Sequence, residues 1–164
     1  MSLAFIGLGS NEGNTFQNLQ GAWKKLAVKG CGTLLSMSSP YKSEPVGIPT
    51  ANWFLNAVGV IETKLSPEDL LEKMLTIEKE MGRDRSHGVD RCIDLDLLYY
   101  DNLIINSPDL VLPHPEIQNR LFVLLPLAEL APDHLHPVLE QTTRMMCKRL
   151  AVEKSVEKIS WQVQ

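Results

Sequence analysis

Apolar positions along the chain change period several times, and those changes set the expected elements. Leu3 to Leu8 is a short apolar run ending in Gly7-Leu8-Gly9-Ser10-Asn11, the pattern of a buried strand running into a turn. Thr15 to Val28 then follows a helical period, with Phe16, Leu19, Trp23 and Leu26 on one face and Gly30 and Gly32 after its end. A second strand is predicted over Thr33 to Ser39. Pro40, Pro45, Gly47 and Pro49 mark the next stretch as loop, because proline disfavours both helix and central strand.

Phe54 to Glu62 alternates as a strand. Ser66-Pro67-Glu68-Asp69 is a helix start, with an N-cap hydroxyl, a first-turn proline and two acids at the positive end of the dipole. That helix turns Leu70, Leu71, Met74, Leu75 and Ile77 inward and stops at Gly82. Arg83 to Arg91 has no apolar period and reads as a loop; Ile93 to Tyr100 returns to strand. Asp101-Asn102 turns into Leu103-Ile104-Ile105, and Leu121 to Leu130 and Thr143 to Leu150 read as helices. A last strand is predicted at Ser155 to Trp161. Strand, helix, strand, strand, helix, strand implies an α+β fold. Its expected form is a ferredoxin-like antiparallel sheet with helices packed on its face, or three layers, α/β/α, as a variant. With no repeat or linker in 164 residues, one domain over 1–164 is expected.

Charge narrows the function classes. Sixteen basic against 20 acidic residues give a net charge of −4, so no bulk basic field recruits nucleic acid or an anionic membrane. Any phosphate site must be a local basic cluster. Three separated cysteines, Cys31, Cys92 and Cys147, form neither a disulfide framework nor a zinc knuckle. The N-terminus lacks a basic, apolar leader and no stretch reaches a membrane span, so a cytoplasmic monomer is expected.

The sharpest chemical feature is Arg91-Cys92-Ile93-Asp94-Leu95-Asp96-Leu97-Leu98. On a strand, Asp94 and Asp96 share one face, and two carboxylates so placed repel unless a cation lies between them. Hard, open oxygen ligands suit magnesium, though a strand with one solvated polar face has the same pattern. Arg83, Arg85 and Arg91 flank the acids, as either a surface salt-bridge network or forks for phosphate oxygens. Glu78 extends the acidic cluster. His114 stands between two prolines, with Arg120 and Phe122 close behind, and Phe54 and Asn56 share a strand face where a ring and an amide can meet one heterocycle. The glycines of Gly7 to Gly13 miss the dinucleotide fingerprint, and no phosphate loop of the Gly-Lys-Ser/Thr type occurs. His134-Leu135-His136 reads as an exposed turn rather than a metal chelate.

These segments together resemble the 6-hydroxymethyl-7,8-dihydropterin pyrophosphokinase family, in family order and over nearly the whole chain. The motifs are Arg91-x-x-Asp94-Leu95-Asp96-Leu97-Leu98, Phe54-Leu55-Asn56-Ala57-Val58, Ile77-Glu78 with Gly82-Arg83-x-Arg85, and Pro113-His114 with Arg120-x-Phe122. The resemblance implies diphosphate transfer from ATP to the pterin hydroxyl in folate biosynthesis, by attack on the β-phosphorus with AMP leaving. It implies two magnesium ions on Asp94 and Asp96, with Arg83 and Arg91 joining them as catalytic residues. Ser43, Val46, Gly47, Phe54, Asn56 and Phe122 would bind the pterin. Glu78, Arg83, Arg85, Arg91, Leu97, His114 and Arg120 would bind ATP. One departure stands out: before Arg91, where relatives commonly carry an aromatic residue and Gly-Pro, this chain has Ser86-His87-Gly88-Val89-Asp90. The lid formed by this loop is therefore expected to be shorter and leakier, with His87 standing in for the aromatic. Two other classes share parts of the pattern: a ferredoxin-like regulatory domain and a metal-dependent phosphohydrolase.

Overall fold

A computed structural model describes residues 1–45, 48–83, 88–150 and 156–161. The first strand, β1 (Ser2–Ser10), is nine residues long and has a partner on each side. β4 (Phe54–Thr63) runs antiparallel on one side, from Ser2 opposite Thr63 to Ser10 opposite Leu55. β5 (Asp94–Tyr100) runs antiparallel on the other, placing Gly7 opposite Asp96 and Gly9 opposite Asp94. Between β1 and β4 in sequence lie α1 (Thr15–Val28), β2 (Thr33–Met37) and β3 (Tyr41–Ser43); α2 (Pro67–Glu80) connects β4 to β5. The short strands β2 and β3 occupy successive stretches of one edge of β4. The chain returns at its end to add β8 (Val156–Lys158) outside β3. This is the expected ferredoxin-like antiparallel arrangement, widened by one outer strand.

Alternation along these strands sends side chains to two separate cores. Ala4, Ile6, Leu8, Leu95 and Leu97 pack with Leu19 and Leu26 of α1 and Leu70, Met74 and Ile77 of α2. Phe5, Val58, Val60, Leu98 and Tyr99 face the other way. They meet Val123, Leu124 and Leu127 of α3 (Leu121–Leu130) and Met146 of α4 (Thr143–Arg149). The arrangement is therefore three-layered. A register shift in the β1–β5 pairing lies opposite Leu98, which lets Leu98 and Tyr99 both reach the second core.

Local chemistry fixes the helix ends where the sequence places them. Asn14 accepts from the Gln17 amide at 3.1 Å to start α1, and Ser66 Oγ accepts from the Asp69 amide at 3.1 Å to start α2, with Pro67 in its first turn. Gly82, at φ 91°, ends the second helix by a conformation costly for other residues. Glu129 joins α3 to the sheet: its carboxylate accepts from the Ser39 amide and hydroxyl and, at 2.9 Å, from the Tyr41 hydroxyl.

Three expectations need correction. The proline-rich stretch read as loop contains β3, formed because Tyr41 and Ser43 are buried against β4 despite Pro40 beside them. Beyond Tyr100 the chain forms a small hairpin of β6 (Ile105–Asn106) and β7 (Val111–Leu112), too short for a periodic signal. His134-Leu135-His136 is not an exposed turn. His136 is buried and its Nδ1 accepts from the Val138 and Leu139 amides, while the His134 ring lies 4.4 Å from that of Tyr99. Burial lowers the pKa of both imidazoles, so both are neutral at pH 7.

A close approach explains one glycine in the middle of β4. A Cβ on Gly59 would fall 2.2 Å from the Trp23 ring, so the indole of α1 lies directly on backbone. Gly59→Ala should therefore destabilise the protein by about 1–3 kcal/mol through overpacking, read as a lower urea midpoint at unchanged slope.

Candidate active site

A cavity of about 350 Å³ opens where the carboxyl-bearing start of β5, the end of β1, the start of β4 and the N-terminus of α3 come together. Its floor is backbone. Gly7 and Gly9 point toward it from β1, where a Cβ on Gly7 would lie 3.7 Å from that of Asp96 and one on Gly9 3.3 Å from Asn56 Oδ1. Both glycines lie within β1 itself, where the lack of a side chain keeps the floor flat.

Phe54, Asn56 and Val58 form one wall, as β4 alternation requires, and Arg120, Leu121 and Phe122 form another at the start of α3. Asn56 Nδ2 donates to Ser43 Oγ at 2.8 Å, so the amide is oriented by a buried serine. Each aromatic wall residue has an arginine over its face: Arg91 is 5.4 Å from the Phe54 ring centre and Arg120 is 5.8 Å from that of Phe122. Flat rings, a fixed amide and cationic forks border one space, as the sequence expected for Phe54, Asn56, Phe122, Arg91 and Arg120.

Asp94 and Asp96 both line this cavity. Asp94 is held by two guanidiniums: Arg83 Nη1 at 2.8 Å to Oδ1 and Arg91 Nη1 at 3.3 Å to Oδ2. Asp96 has a looser neighbour, His114 Nε2 at 3.8 Å. Burial, together with the negative charge of Asp94, pushes the Asp96 carboxyl up to about 6, against the lowering effect of Arg120, Arg83 and Arg91. His114 is aimed by its surroundings. Its amide donates to Leu98 O at 2.9 Å, and its Nδ1 accepts from the Glu116 amide at 3.1 Å, which leaves Nε2–H toward Asp96. Burial and Arg120 both lower its pKa, so the ring is neutral at pH 7.

Glu78 and Leu97, expected at the nucleotide, do not line this cavity. Glu78 is buried behind β5, where its Oε2 accepts from the Leu95 amide at 2.8 Å and lies 3.9 Å from Arg83 Nη1. There it holds the β5 backbone and stands beside Arg83. The Leu97 side chain is in the α1–α2 core, on the sheet face opposite Asp94 and Asp96. Val46, Gly47, Arg85 and His87, and with them the sealing of the lid, lie outside the described residues. Sequence reasoning also missed Glu116, Asn119, Ile48 and Val156, all of which line the cavity. They lie in loops and on a three-residue edge strand, where no periodicity marks them.

The donor set fits magnesium. Among the described residues no group of three or more His, Cys, Asp or Glu forms a metal cage. Two neighbouring carboxylates, one held above its ordinary range by burial and by the other's charge, match a cation that takes few protein ligands and completes its shell with water and phosphate oxygens. Among the described residues no helix is long and apolar enough to cross a membrane.

Comparison with known proteins agrees with this chemistry. The family model for 7,8-dihydro-6-hydroxymethylpterin-pyrophosphokinase matches residues 5–132. The 2-amino-4-hydroxy-6-hydroxymethyldihydropteridine pyrophosphokinase of Haemophilus influenzae is 39% identical over 158 residues, covering 96% of this chain and 98% of that one. The Methylorubrum extorquens protein of the same name is 42% identical over 81% of this chain and 85% of its own. The folic acid synthesis protein FOL1 of Dictyostelium discoideum is 40% identical over 88% of this chain, which spans only 22% of that longer protein. The solved structure of Plasmodium falciparum HPPK-DHPS wild type with pteroate shares the fold, with a TM-score of 0.81 at 15% identity over 96% of this chain and 48% of that one. By sequence match over most of its length, this chain belongs to the 7,8-dihydro-6-hydroxymethylpterin-pyrophosphokinase family.

Proposed function

We propose that this chain transfers a diphosphate from ATP to the hydroxymethyl group of 6-hydroxymethyl-7,8-dihydropterin, releasing AMP, as a step in folate biosynthesis. The observation that carries this reading is one cavity bordered by Phe54, Phe122 and Asn56 on one side and by Asp94, Asp96, Arg91 and Arg120 on the other, with Arg83 paired to Asp94. The first group suits a flat ring with hydrogen-bonding edges; the second suits a polyphosphate.

Phe54 and Phe122 sandwich the pterin, and Asn56, held by Ser43, reads its edge. Magnesium, two ions in this reading, would be held by Asp94 and Asp96 and would supply charge neutralisation for the phosphates. Arg83 and Arg91 keep Asp94 in place and offer their remaining donors to phosphate. Arg120 serves both partners, as a fork for phosphate and a cation on the Phe122 face. His114 presents a neutral Nε2–H toward Asp96, where a phosphate oxygen can accept it. Displacement at phosphorus needs in-line positioning and charge neutralisation more than a covalent intermediate, and no nucleophilic side chain is required.

Mixing the protein with ATP, magnesium and the pterin should yield AMP with the pterin diphosphate. ADP with free phosphate would replace this reading by hydrolysis or ordinary kinase chemistry. Asp94→Ala should abolish turnover and also loosen Arg83 and Arg91; a near-normal rate would sink the metal assignment. Phe122→Ala should weaken pterin binding by about 1–3 kcal/mol, measured by titration calorimetry.

Asp96 gives a prediction about stability. Its carboxyl titrates above its ordinary value when folded, so the stability linked to it is full below about pH 4 and is lost as pH rises through about 6. At pH 7 the metal-free protein therefore carries a cost at this site. Asp96→Asn should raise the metal-free Tm at pH 7 by about 2–4 °C, equivalent to roughly 1 kcal/mol after solvent screening, and remove the Tm rise that magnesium gives the wild type.

A further inference from the structure

Asp90, immediately before Arg91, is where three separate segments of the chain meet. Its Oδ1 accepts from Asn11 Nδ2 at 2.9 Å, on the turn that follows β1. Its Oδ2 accepts from Asn52 Nδ2 at 3.1 Å, on the loop that leads into β4. Asn11 in turn clasps the next residue on both sides: its Oδ1 accepts from the Arg91 amide at 2.7 Å, and its own amide donates to Arg91 O at 3.0 Å. Asn11 is buried, so this clasp is shielded from water.

The two ends of the arrangement belong to different halves of the cavity. Asn52 is two residues before Phe54, the ring on the β4 wall. Arg91 holds Asp94 Oδ2 at 3.3 Å and lies 5.4 Å from the centre of that same ring. A carboxylate suits the junction because it only accepts, and both amides facing it donate; each bond is strengthened by the charge.

We propose that Asp90 is a positioning residue which, through Asn52 and Asn11, fixes the ring-bearing start of β4 relative to Arg91, and so sets the heterocycle side of the cavity against its phosphate side. This inference rests on the pyrophosphokinase reading. Breaking the link lets Phe54 and Arg91 move independently, so the cost falls on capture of the pterin before it falls on the transfer step.

The test uses the full chain with ATP, magnesium and hydroxymethyl dihydropterin. Asp90→Ala and Asn52→Ala should each raise the pterin KM about tenfold while kcat changes by less than about twofold. Asn52→Asp places two carboxylates together and should be worse than Asn52→Ala. Adding Asp90→Asn to it restores a donor–acceptor pair, with residue 90 still accepting from Asn11, and should return the pterin KM to within about twofold of wild type. A loop that is merely supportive would not be rescued by reversing the pair. Unchanged KM in the single variants, or a swap no better than Asn52→Asp, would overturn the proposal. An arm independent of turnover is hydrogen exchange at the Arg91 amide, which should quicken about tenfold in Asp90→Ala. Wild type that forms no AMP would remove the reaction and leave exchange to decide; unchanged protection would then reject the link.

Discussion

Two negative charges on adjacent same-face positions of one strand impose the constraint on which the rest of this site depends. Asp94 and Asp96 cannot both stay ionised beside a buried sheet without compensation, and the chain compensates them unequally. Asp94 takes both nearby guanidiniums and becomes an anchor for Arg83 and Arg91. Asp96, buried and beside the Asp94 charge, keeps a carboxyl that binds protons readily in spite of the arginines around it. Glu78 serves the first of these from behind, binding the β5 backbone and standing beside Arg83. In the proposed reading, this unequal pair is what would receive cations together with phosphates.

Much of this could be read before any coordinates. Helix starts at Asn14 and Ser66 depend on a side chain and an amide three residues away, so local sequence is enough. The shared face of Asp94 and Asp96 follows from strand alternation alone. What stayed hidden depends on partners far along the chain. β3 is three residues beside a proline and exists because β4 supplies hydrogen bonds and burial. Glu78 has the local pattern of a helix surface, yet it is buried against the β5 backbone, where it accepts from the Leu95 amide. His134 and His136 sit in a proline-flanked, polar stretch that reads as exposed, and the second core claims them through Phe5 and Tyr99. Glu116, Asn119 and Val156 reach the cavity from loops and an edge strand whose spacing carries no signal.

Bonds between loops hold the site as firmly as the sheet does. β1, β4 and β5 fix the carboxylates, the amide of Asn56 and the first aromatic ring. The arginines and the second ring depend on segments outside the sheet: the run before β5, the stretch after β7, and the first turn of α3. Glu129 ties that helix to Ser39 and Tyr41. The three-layer frame thus supplies the position of the acids, while side-chain bonds to backbone aim the cations and the second ring at them. This division explains how a chain of ordinary composition and net negative charge brings Arg91 and Arg120 to the same cavity as its paired acids.

The backbone floor at Gly7 and Gly9 has a consequence for inhibition. A compound that draws its affinity from side chains can be defeated by exchanging those side chains. Here part of the cavity is lined by peptide groups, and a side chain at either glycine would narrow that space. A molecule resting flat on that floor would touch atoms that a single codon change cannot alter without damaging the protein's own use of the cavity. The floor is then the part of the surface least able to evolve resistance.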